Sequence, residues 1–232
     1  MSTIDSSHAH PAEASGVKKP LWERYVHGHH WRSQAEEFDG LKLGFWLFLT
    51  TEVLLFAGIF CAYCLFRAMY PEAWAEGSTS LDWRFGALNT VVLLASSYTM
   101  AAAIYCFQTN QQARGRFNLL ITIISGAAFI AIKLVFEYYP KWMMGKRPGS
   151  LFDFPFASDP HIPLWWSVYY CGTALHALHV IIGMILIARI YVKSLKGQYG
   201  PTYYTGVEIA GLYWHLVDLI WIFLFPLLYL IH

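Results

Sequence analysis

Apolar and polar stretches alternate along this 232-residue chain on the scale of a membrane crossing. A helix needs about 20 mainly apolar residues to cross the hydrocarbon core of a bilayer. Five runs reach that length, and the connections between them are rich in Pro, Gly, Ser and charged residues, which end helices. The runs are residues 41–66, 85–107, 117–139, 164–192 and 207–231. The pattern predicts an all-α polytopic membrane protein with five transmembrane helices in a bundle.

The residues outside these runs set the expected domain organisation. Residues 1–40 form a polar N-terminal segment without the apolar core of a signal peptide, so we expect no cleavage. Within this segment, Ser33 and Glu36 have the spacing of a capping box. This spacing predicts a short interfacial helix that runs into the first span. Residues 41–232 then form the transmembrane domain, whose longest connection, 140–163, is predicted to be an external loop.

The basic residues are distributed unevenly between the two sides of the predicted bundle. Cytoplasmic loops of membrane proteins carry an excess of Lys and Arg. The side of the N-terminus holds Lys18, Lys19, Arg24, Arg32, Lys42, Arg114, Arg116, Arg189, Lys193 and Lys196. The other side holds only Arg67, Arg84, Lys141, Lys146 and Arg147. This distribution predicts a cytoplasmic N-terminus and a periplasmic C-terminus.

Aromatic residues concentrate where the predicted spans meet the outer side. Trp and Tyr are enriched at membrane interfaces, where their rings lie at the level of the headgroups. The residues concerned are Trp74, Trp83, Tyr138, Tyr139, Trp142, Trp165, Trp166, Tyr169 and Tyr170. We therefore expect an outer aromatic belt.

Composition and charge agree with a membrane protein and exclude one class of partner. Hydrophobic residues make up 56% of the chain and charged residues 13%, against roughly a quarter charged in soluble domains. A formal net charge of +1 offers no basic surface for nucleic acid. The four cysteines lie in apolar runs, where thiols usually behave as small buried hydrophobes. We expect neither a disulfide framework nor a zinc site.

Several ionisable residues lie at a similar depth in the predicted spans. They are Glu52, His176, His179, His215 and Asp218. An ionisable side chain at the centre of a membrane helix costs about 2.5–3.5 kcal/mol on insertion scales, so it normally faces protein and finds a partner. Helical spacing places these carboxylates and imidazoles where they can meet inside one bundle.

Lys133 and Glu137 form a further charged pair, nearer the predicted outer side. They are four residues apart, so Lys133 can pair with Glu137 or extend outward. Local neutralisation is the favoured interpretation of this pair.

The spacing of the ionisable residues alone leaves four interpretations open. His215 could form an axial haem pair with His176 or His179, and imidazoles with carboxylates could bind a divalent metal ion. A proton relay is the usual role of intramembrane acids and histidines, although no internal repeat typical of transporters is present. The fourth interpretation is structural, with these groups bonding between helices and fixing which spans pair. Spacing favours the structural interpretation.

Five stretches of the chain carry a resemblance to a known family. They are "FLTTEVLLFAGIFCAY" (48–63), "LNTVVLLASS" (88–97), "FEYY" (136–139), "ALHALHVIIG" (174–183) and "GVEIAGLYWHLVDLIWIFLFPLLY" (206–229). In these stretches, from about residue 40 to its end, the chain resembles subunit III of the haem-copper terminal oxidases, as in cytochrome c oxidase. The five patterns occur in the family's order, and each falls in a predicted span.

The resemblance implies a function within a complex and no catalytic centre in this chain. Subunit III of that family is a non-redox accessory subunit, and the haem and copper lie in partner subunits. The implied partners are oxidase subunit I, which is catalytic, and subunit II, together with membrane lipids. The complex reduces oxygen to water with electrons from cytochrome c and pumps protons; subunit III stabilises the catalytic subunit and supports its proton uptake. A quinol oxidase subunit, a homologue associated with nitric-oxide reductase and an independent haem anchor or ion carrier are the alternatives.

The resemblance also assigns residues and a location. The family's interior polar groups align with Glu52, His176, His179, His215 and Asp218. Lys193, with Arg189 one turn earlier, aligns with a basic position that contacts phospholipid headgroups in larger members. Those members have seven spans, with the lipid cleft between the first two and the last five, whereas this chain has only the last five. Five spans and a long 140–163 loop resemble bacterial versions, which implies the bacterial cytoplasmic (inner) membrane.

Overall fold

The computed structural model describes residues 20–231, and helices dominate it. Five helical segments are long and apolar enough to cross a membrane, which confirms the predicted all-α architecture. The helices are α1 Gln34–Met69, α2 Pro71–Thr79, α3 Trp83–Gln108, α4 Gln112–Ile132, α5 Tyr139–Met143, α6 Ile162–Leu195 and α7 Thr205–Tyr229. A π-helical segment, Lys133–Tyr138, joins α4 to α5, and together they form one span.

The two ends of the bundle differ in what covers them. We call the end at which α1 begins the near end; it includes residues 109–111 and 196–204 between helices. The opposite, far end carries α2 and residues 144–161, which include a short 3-10 helix, Gly149–Leu151. Which of the two ends faces the cytoplasm stays a prediction from the basic residues.

Helix α1 begins where the capping box predicts. The Ser33 Oγ accepts a hydrogen bond from the backbone N–H of Glu36 at 3.1 Å, and the Glu36 carboxylate accepts one from the N–H of Arg32 at 2.9 Å. The first bond satisfies a backbone donor that a helix start leaves free, and the second holds the residue before the cap against the first turn. The helix then continues without a break to Met69. The interfacial helix expected from the sequence is therefore the first part of α1, and its depth in a membrane stays a prediction.

Helices α6 and α7 are central, and the others pack around them. The hairpin of α3 and α4 contacts both on one side, while α1 contacts both on the other. Helix α1 buries only Leu49, Phe56 and Tyr63 among its 36 residues. Their spacing of seven residues places them on one narrow stripe of the helix. Helix α1 is therefore a peripheral helix whose remaining surface faces outward.

Small residues allow the α7 backbone to approach its neighbours around Trp214. A Cβ added to Gly126 of α4 would lie 2.7 Å from the Trp214 ring, and one added to Gly183 of α6 would lie 2.8 Å from it. The indole N–H donates to the Ser96 Oγ of α3 at 3.0 Å. One ring thus packs between α4 and α6 and bonds to α3. Small residues at such contacts are typical of packed membrane helices.

The far end contains a helix that hydropathy does not predict. Helix α2 is short and only weakly apolar, but it packs against α6. A Cβ added to Gly77 of α2 would lie 2.2 Å from the Trp165 ring, so glycine is needed for this approach. Trp74 of the same helix is buried and packs edge-on against Tyr63 of α1.

The predicted aromatic belt is wrong for several of its members. Trp74, Trp165, Trp166 and Tyr169 are buried and in ring contact with aromatic neighbours, because α2 and the 140–163 loop pack over this end of the bundle. The members that are exposed are Trp83, Tyr139 and Trp142. Hydropathy cannot separate aromatic residues at an interface from those in a core, since both positions favour large rings with a polar atom.

At the near end, residues 20–33 pack against the loop before α7. Thr202 Oγ1 donates to the Trp22 carbonyl at 3.1 Å, and Tyr25 stacks on Tyr203 with ring centroids 3.8 Å apart. The Tyr25 hydroxyl donates to the Glu37 carboxylate, and burial together with this bond raises the pKa of Tyr25. Burial raises the pKa of Tyr199 to about 12. Both phenols are therefore neutral at physiological pH.

Candidate functional site

The clearest contact among the predicted polar residues joins α1 to α6. The His179 Nε2 lies 2.7 Å from the Glu52 Oε2, and the His179 Nδ1 lies 2.7 Å from the Leu175 carbonyl oxygen. A carbonyl oxygen only accepts hydrogen bonds, so the Nδ1 carries a proton. The Nε2 then either donates to a carboxylate or accepts from a protonated Glu52. In both cases the pair is neutral as a unit, which is the state that the membrane interior tolerates.

We expect Glu52→Leu to weaken the packing of α1. The change removes the partner of a His179 ring that is 8% exposed, and an unsatisfied buried polar group costs about 1–3 kcal/mol. SDS-induced unfolding of the purified chain in detergent, followed by Trp fluorescence, would measure the loss. Glu52→Gln is the control, because its amide can donate to the Nε2, and it should retain most of the stability. Equal stability of the Leu variant and the parent would contradict a bonding role for this pair.

His176 lies one turn earlier on α6 but has different neighbours. Its ring is fully buried, stacked on Trp221 with centroids 5.1 Å apart and edge-on to Phe129 at 5.5 Å. Within the part of the chain that the structure describes, neither ring nitrogen has a hydrogen-bond partner. His176 therefore packs against aromatic rings of α4 and α7 and does not join the Glu52–His179 pair.

His215 connects α7 to α3. The His215 Nδ1 lies 2.7 Å from the Ser97 Oγ. Asp218 lies one turn further along α7 and is buried, and its Oδ1 has no hydrogen-bond partner among residues 20–231. Ser97 thus bonds to His215 of α7, just as Ser96 bonds to Trp214.

The structure distributes the predicted polar residues over three places. Glu52 and His179 are the only two that hydrogen-bond to each other among residues 20–231. Within the same residues, no group of three or more His, Cys, Asp or Glu side chains is arranged to hold a metal ion. What these groups have in common is that they mediate contacts between helices.

A second polar cluster lies towards the far end, and the sequence indicated only part of it. Lys133 and Glu137 are 2% and 1% exposed, and the Lys133 Nζ lies 2.5 Å from the Glu137 Oε2. The predicted pairing is therefore present, but it is fully enclosed and does not reach outward. Tyr169 of α6 donates to the same Oε2 at 2.8 Å, and Tyr229 of α7 donates to it at 2.5 Å. Lys133 also donates to the Tyr229 hydroxyl.

The ammonium group of this cluster is surrounded by aromatic rings. The Lys133 Nζ lies 5.0 Å from the centroids of Trp221 and Tyr229 and 5.2 Å from that of Tyr169. Ring faces attract cations, most strongly where water is excluded. Glu137 lies in the π-helical segment Lys133–Tyr138, a local widening often found at functional sites. The cluster, which we call the Lys133 cluster (Lys133, Glu137, Tyr169 and Tyr229), ties the far halves of three spans together.

Sequence reasoning could have found the two charges of this cluster but not its tyrosines. The i, i+4 spacing of Lys133 and Glu137 is visible along the chain, and "FEYY" contains Glu137. Tyr169 and Tyr229 lie 32 and 92 residues beyond Glu137, and no spacing rule connects residues on different helices. The only available signal was that two opposite charges in an apolar span need further partners.

The two basic residues expected to contact lipid lie on α6 towards the near end. Arg189 is exposed and Lys193 is half-buried. No side chain among residues 20–231 hydrogen-bonds or ion-pairs with either of them. Nearby, Lys42 of α1 and Glu208 of α7 form an ion pair with Nζ and Oε1 2.6 Å apart.

Comparison with known proteins gives one consistent result. Residues 18–232 match the family model described as cytochrome c oxidase subunit III. The chain is 31% identical over 234 residues to cytochrome c oxidase subunit 3 of Synechocystis sp., covering 99% of this chain and 91% of that protein. It is 33% identical over 197 residues to that of Thermostichus vulcanus, covering 84% and 90%. It is 32% identical over 208 residues to that of Cyprinus carpio, covering 87% and 72%.

Proposed function

The chain belongs to the cytochrome c oxidase subunit III family, and on this premise we propose that it is the non-redox accessory subunit of a proton-pumping haem-copper terminal oxidase. In this role it stabilises the catalytic subunit and supports its proton uptake, while haem and copper lie in subunits I and II. The complex reduces oxygen to water with electrons from cytochrome c. The family match over residues 18–232 carries the proposal.

The polar side chains within the spans bond to or pack against neighbouring helices, and this supports an accessory role. The carboxylate of Glu52 bonds to His179, and that of Glu137 bonds to Lys133 and two tyrosines. His215 bonds to Ser97, and His176 packs between rings. Groups engaged in this way fix which helices pair, as interhelical hydrogen bonds do in other membrane bundles.

The remaining features of the proposal concern the membrane. The excess of basic residues at the near end supports a cytoplasmic orientation of that end, and the proposed location of the chain is the inner membrane of a bacterium. Arg189 and Lys193 contact phospholipid headgroups at this end, since both are accessible and neither hydrogen-bonds or ion-pairs with a side chain among residues 20–231. Their cationic groups then lie beside lipid phosphates.

Purification through a tag on this chain tests the proposal directly. After extraction in a mild detergent, we expect subunits I and II to copurify and the sample to show the visible spectrum of haem together with oxygen consumption driven by reduced cytochrome c. The tagged chain expressed alone should show no Soret band. A Soret band in the isolated chain, or a preparation without a haem-copper subunit, would overturn the proposal.

We expect Asp218→Leu to loosen assembly of the complex. The change removes a carboxylate that is 4% exposed and therefore faces protein, and a polar contact between helices is worth about 1 kcal/mol. The ratio of subunit I to the tagged chain should fall, and turnover should decay sooner. Asp218→Asn, which keeps a hydrogen-bonding group of the same shape, should retain the parent ratio. Unchanged copurification and turnover lifetime in the Leu variant would rule out this role for Asp218.

A further inference from the structure

A pocket lies at the far end of the bundle, where α1 ends and α2 begins. It has a volume of about 290 Å³ and is lined by Arg67 of α1, by Ile231 just after α7 and by the first turn of α2, which contributes Pro71, Glu72, Trp74 and Ala75. The apolar run of the first span ends at residue 66. The pocket therefore lies just outside the hydrocarbon core, at the level of the lipid headgroups.

The start of α2 offers hydrogen-bond donors and a partial positive charge to this pocket. Pro71 is the first helical residue, and the side chain of the preceding Tyr70 does not cap the helix. The first backbone bond of the helix runs from the Trp74 N–H to the Tyr70 carbonyl at 3.3 Å. The N–H groups of Glu72 and Ala73 thus have no backbone acceptor among residues 20–231. A helix start of this kind favours an anion.

Trp74 gives a second, independent indication of a ligand. Its ring is 2% exposed and packs against Tyr63 and Phe66 of α1, with centroids 6.0 Å and 6.4 Å away. The indole N–H is buried and has no acceptor among residues 20–231. Buried N–H groups nearly always find an acceptor, because leaving one unpaired is costly. The pocket that the Trp74 ring lines is the place where an acceptor can come from outside the chain.

Two opposite charges complete the lining of the pocket. Arg67 follows Tyr63 by four residues, so both lie on the face of α1 that contacts Trp74. Neither Arg67 nor Glu72 forms an ion pair with another side chain among residues 20–231. The pocket thus presents a guanidinium group and a carboxylate that do not neutralise each other directly. A ligand that carries both a negative and a positive group matches this arrangement.

We propose that this pocket binds the headgroup of a zwitterionic phospholipid with a primary amine, of the phosphatidylethanolamine class. The phosphate accepts hydrogen bonds from the Arg67 guanidinium group and the Trp74 indole N–H, beside the positive end of α2. The ammonium group donates to the Glu72 carboxylate. The acyl chains extend from the pocket into the hydrocarbon core.

The charges of the pocket distinguish this headgroup from two other common ones. Phosphatidylglycerol carries a phosphate but no cation, so it leaves the Glu72 carboxylate beside a net negative ligand. Phosphatidylcholine has a quaternary ammonium group without an N–H, so it donates no hydrogen bond to that carboxylate. A charge-assisted hydrogen bond is among the stronger polar contacts, so losing one should weaken binding about 10-fold.

Native mass spectrometry of the tagged full-length chain in mild detergent tests the assignment. Phosphatidylethanolamine, phosphatidylglycerol and phosphatidylcholine with identical acyl chains are each titrated into the delipidated chain. We expect the ethanolamine lipid to bind about 10-fold more tightly than the other two. Equal affinities for the three lipids would overturn the assignment. Because the pocket is formed by this chain alone, the result does not depend on which subunits copurify with it.

Variants of the pocket locate the binding. Arg67→Gln should weaken binding of the ethanolamine lipid about 10-fold, whereas Arg67→Lys keeps the charge and should lose less than about 3-fold. Trp74→Phe keeps a ring but loses the N–H and should weaken binding about 2- to 10-fold. The matched control is Arg84→Gln, which removes an exposed arginine at the same end of the bundle outside the pocket. Parent affinity in Arg67→Gln, or an equal loss in Arg84→Gln, would contradict the site.

Inorganic phosphate distinguishes a lipid headgroup from a free anion. It shares the phosphate chemistry but has neither an amine nor acyl chains. We expect added phosphate to leave binding of the ethanolamine lipid unchanged. Displacement of that lipid by phosphate alone would show that the pocket takes a free anion, and the assignment to a phospholipid would then be wrong.

Discussion

Replacing Glu137 by leucine should destabilise the chain by about 3–5 kcal/mol, because it leaves the buried ammonium group of Lys133 without its carboxylate. Lys133 is 2% exposed, and its remaining neighbours are the Tyr229 hydroxyl and three aromatic ring faces. The lysine must then either stay charged in a dry core or give up its proton, and both cost free energy. SDS-induced unfolding of the purified full-length chain in detergent would measure the loss.

The double variant Lys133→Met with Glu137→Leu distinguishes charge from packing. It removes both charges and replaces them by apolar groups of similar volume, a change that is often neutral or stabilising for buried ion pairs. We expect it to recover most of the stability lost in Glu137→Leu alone. Glu72→Leu makes the same substitution at an exposed carboxylate of α2, and it should change stability by less than about 0.5 kcal/mol. A Glu137→Leu variant as stable as Glu72→Leu would show that the Lys133 cluster contributes little.

Replacing Trp221 by alanine should cost a similar amount, about 3–5 kcal/mol. The ring is fully buried and lies at the centre of the far half of the bundle. It packs edge-on against Phe129 at 4.9 Å, stacks on His176 at 5.1 Å and lies 5.0 Å from the Lys133 Nζ. Alanine would leave a cavity between α4, α6 and α7 in a core that is packed as densely as a crystal. Unfolding in SDS, compared with the parent chain, would give the loss.

Two further variants separate the contribution of the indole N–H and of burial from the loss of the ring itself. Trp221→Phe keeps most of the ring but loses the indole N–H that donates to the Thr90 Oγ1 at 3.0 Å, so its loss should be intermediate. Trp83→Ala removes the same side chain at a position 55% exposed at the start of α3 and should have little effect. If Trp83→Ala destabilised the chain as much as Trp221→Ala, burial of the ring would not explain the effect.

The hydropathy pattern predicted the spans closely, and the differences have simple causes. Each span begins before its predicted run, and four of the five also end after it, as Trp83–Gln108 does for 85–107 and Ile162–Leu195 for 164–192; α7 ends at Tyr229, two residues before the predicted end. Helices continue beyond the hydrocarbon core until a breaker or a cap ends them, so hydropathy underestimates their length. Hydropathy did not predict helix α2, because this helix is short and only weakly apolar. Its position depends on the packing of Gly77 against Trp165.

The ionisable residues were easier to find than their partners. Their presence in apolar spans marked Glu52, His176, His179, His215 and Asp218 as enclosed by protein. One predicted contact is present, between the Glu52 Oε2 and the His179 Nε2, which lie 2.7 Å apart. His215 bonds to Ser97 instead, and His176 packs against Phe129 and Trp221. A helical repeat gives the direction of a side chain on its own helix, but the partner depends on how neighbouring helices are rotated and shifted.

The sequence by itself determined the class of this protein, its five spans and its family, because each depends on local properties: the length of an apolar run and the order of residues within a motif. Tertiary structure alone decided that Lys133 and Glu137 share a site with Tyr169 and Tyr229, and that Ser97 of α3 bonds to His215 of α7. Those groupings depend on contacts between segments up to 118 residues apart. Such contacts are set by the packing of whole helices, which no local pattern encodes.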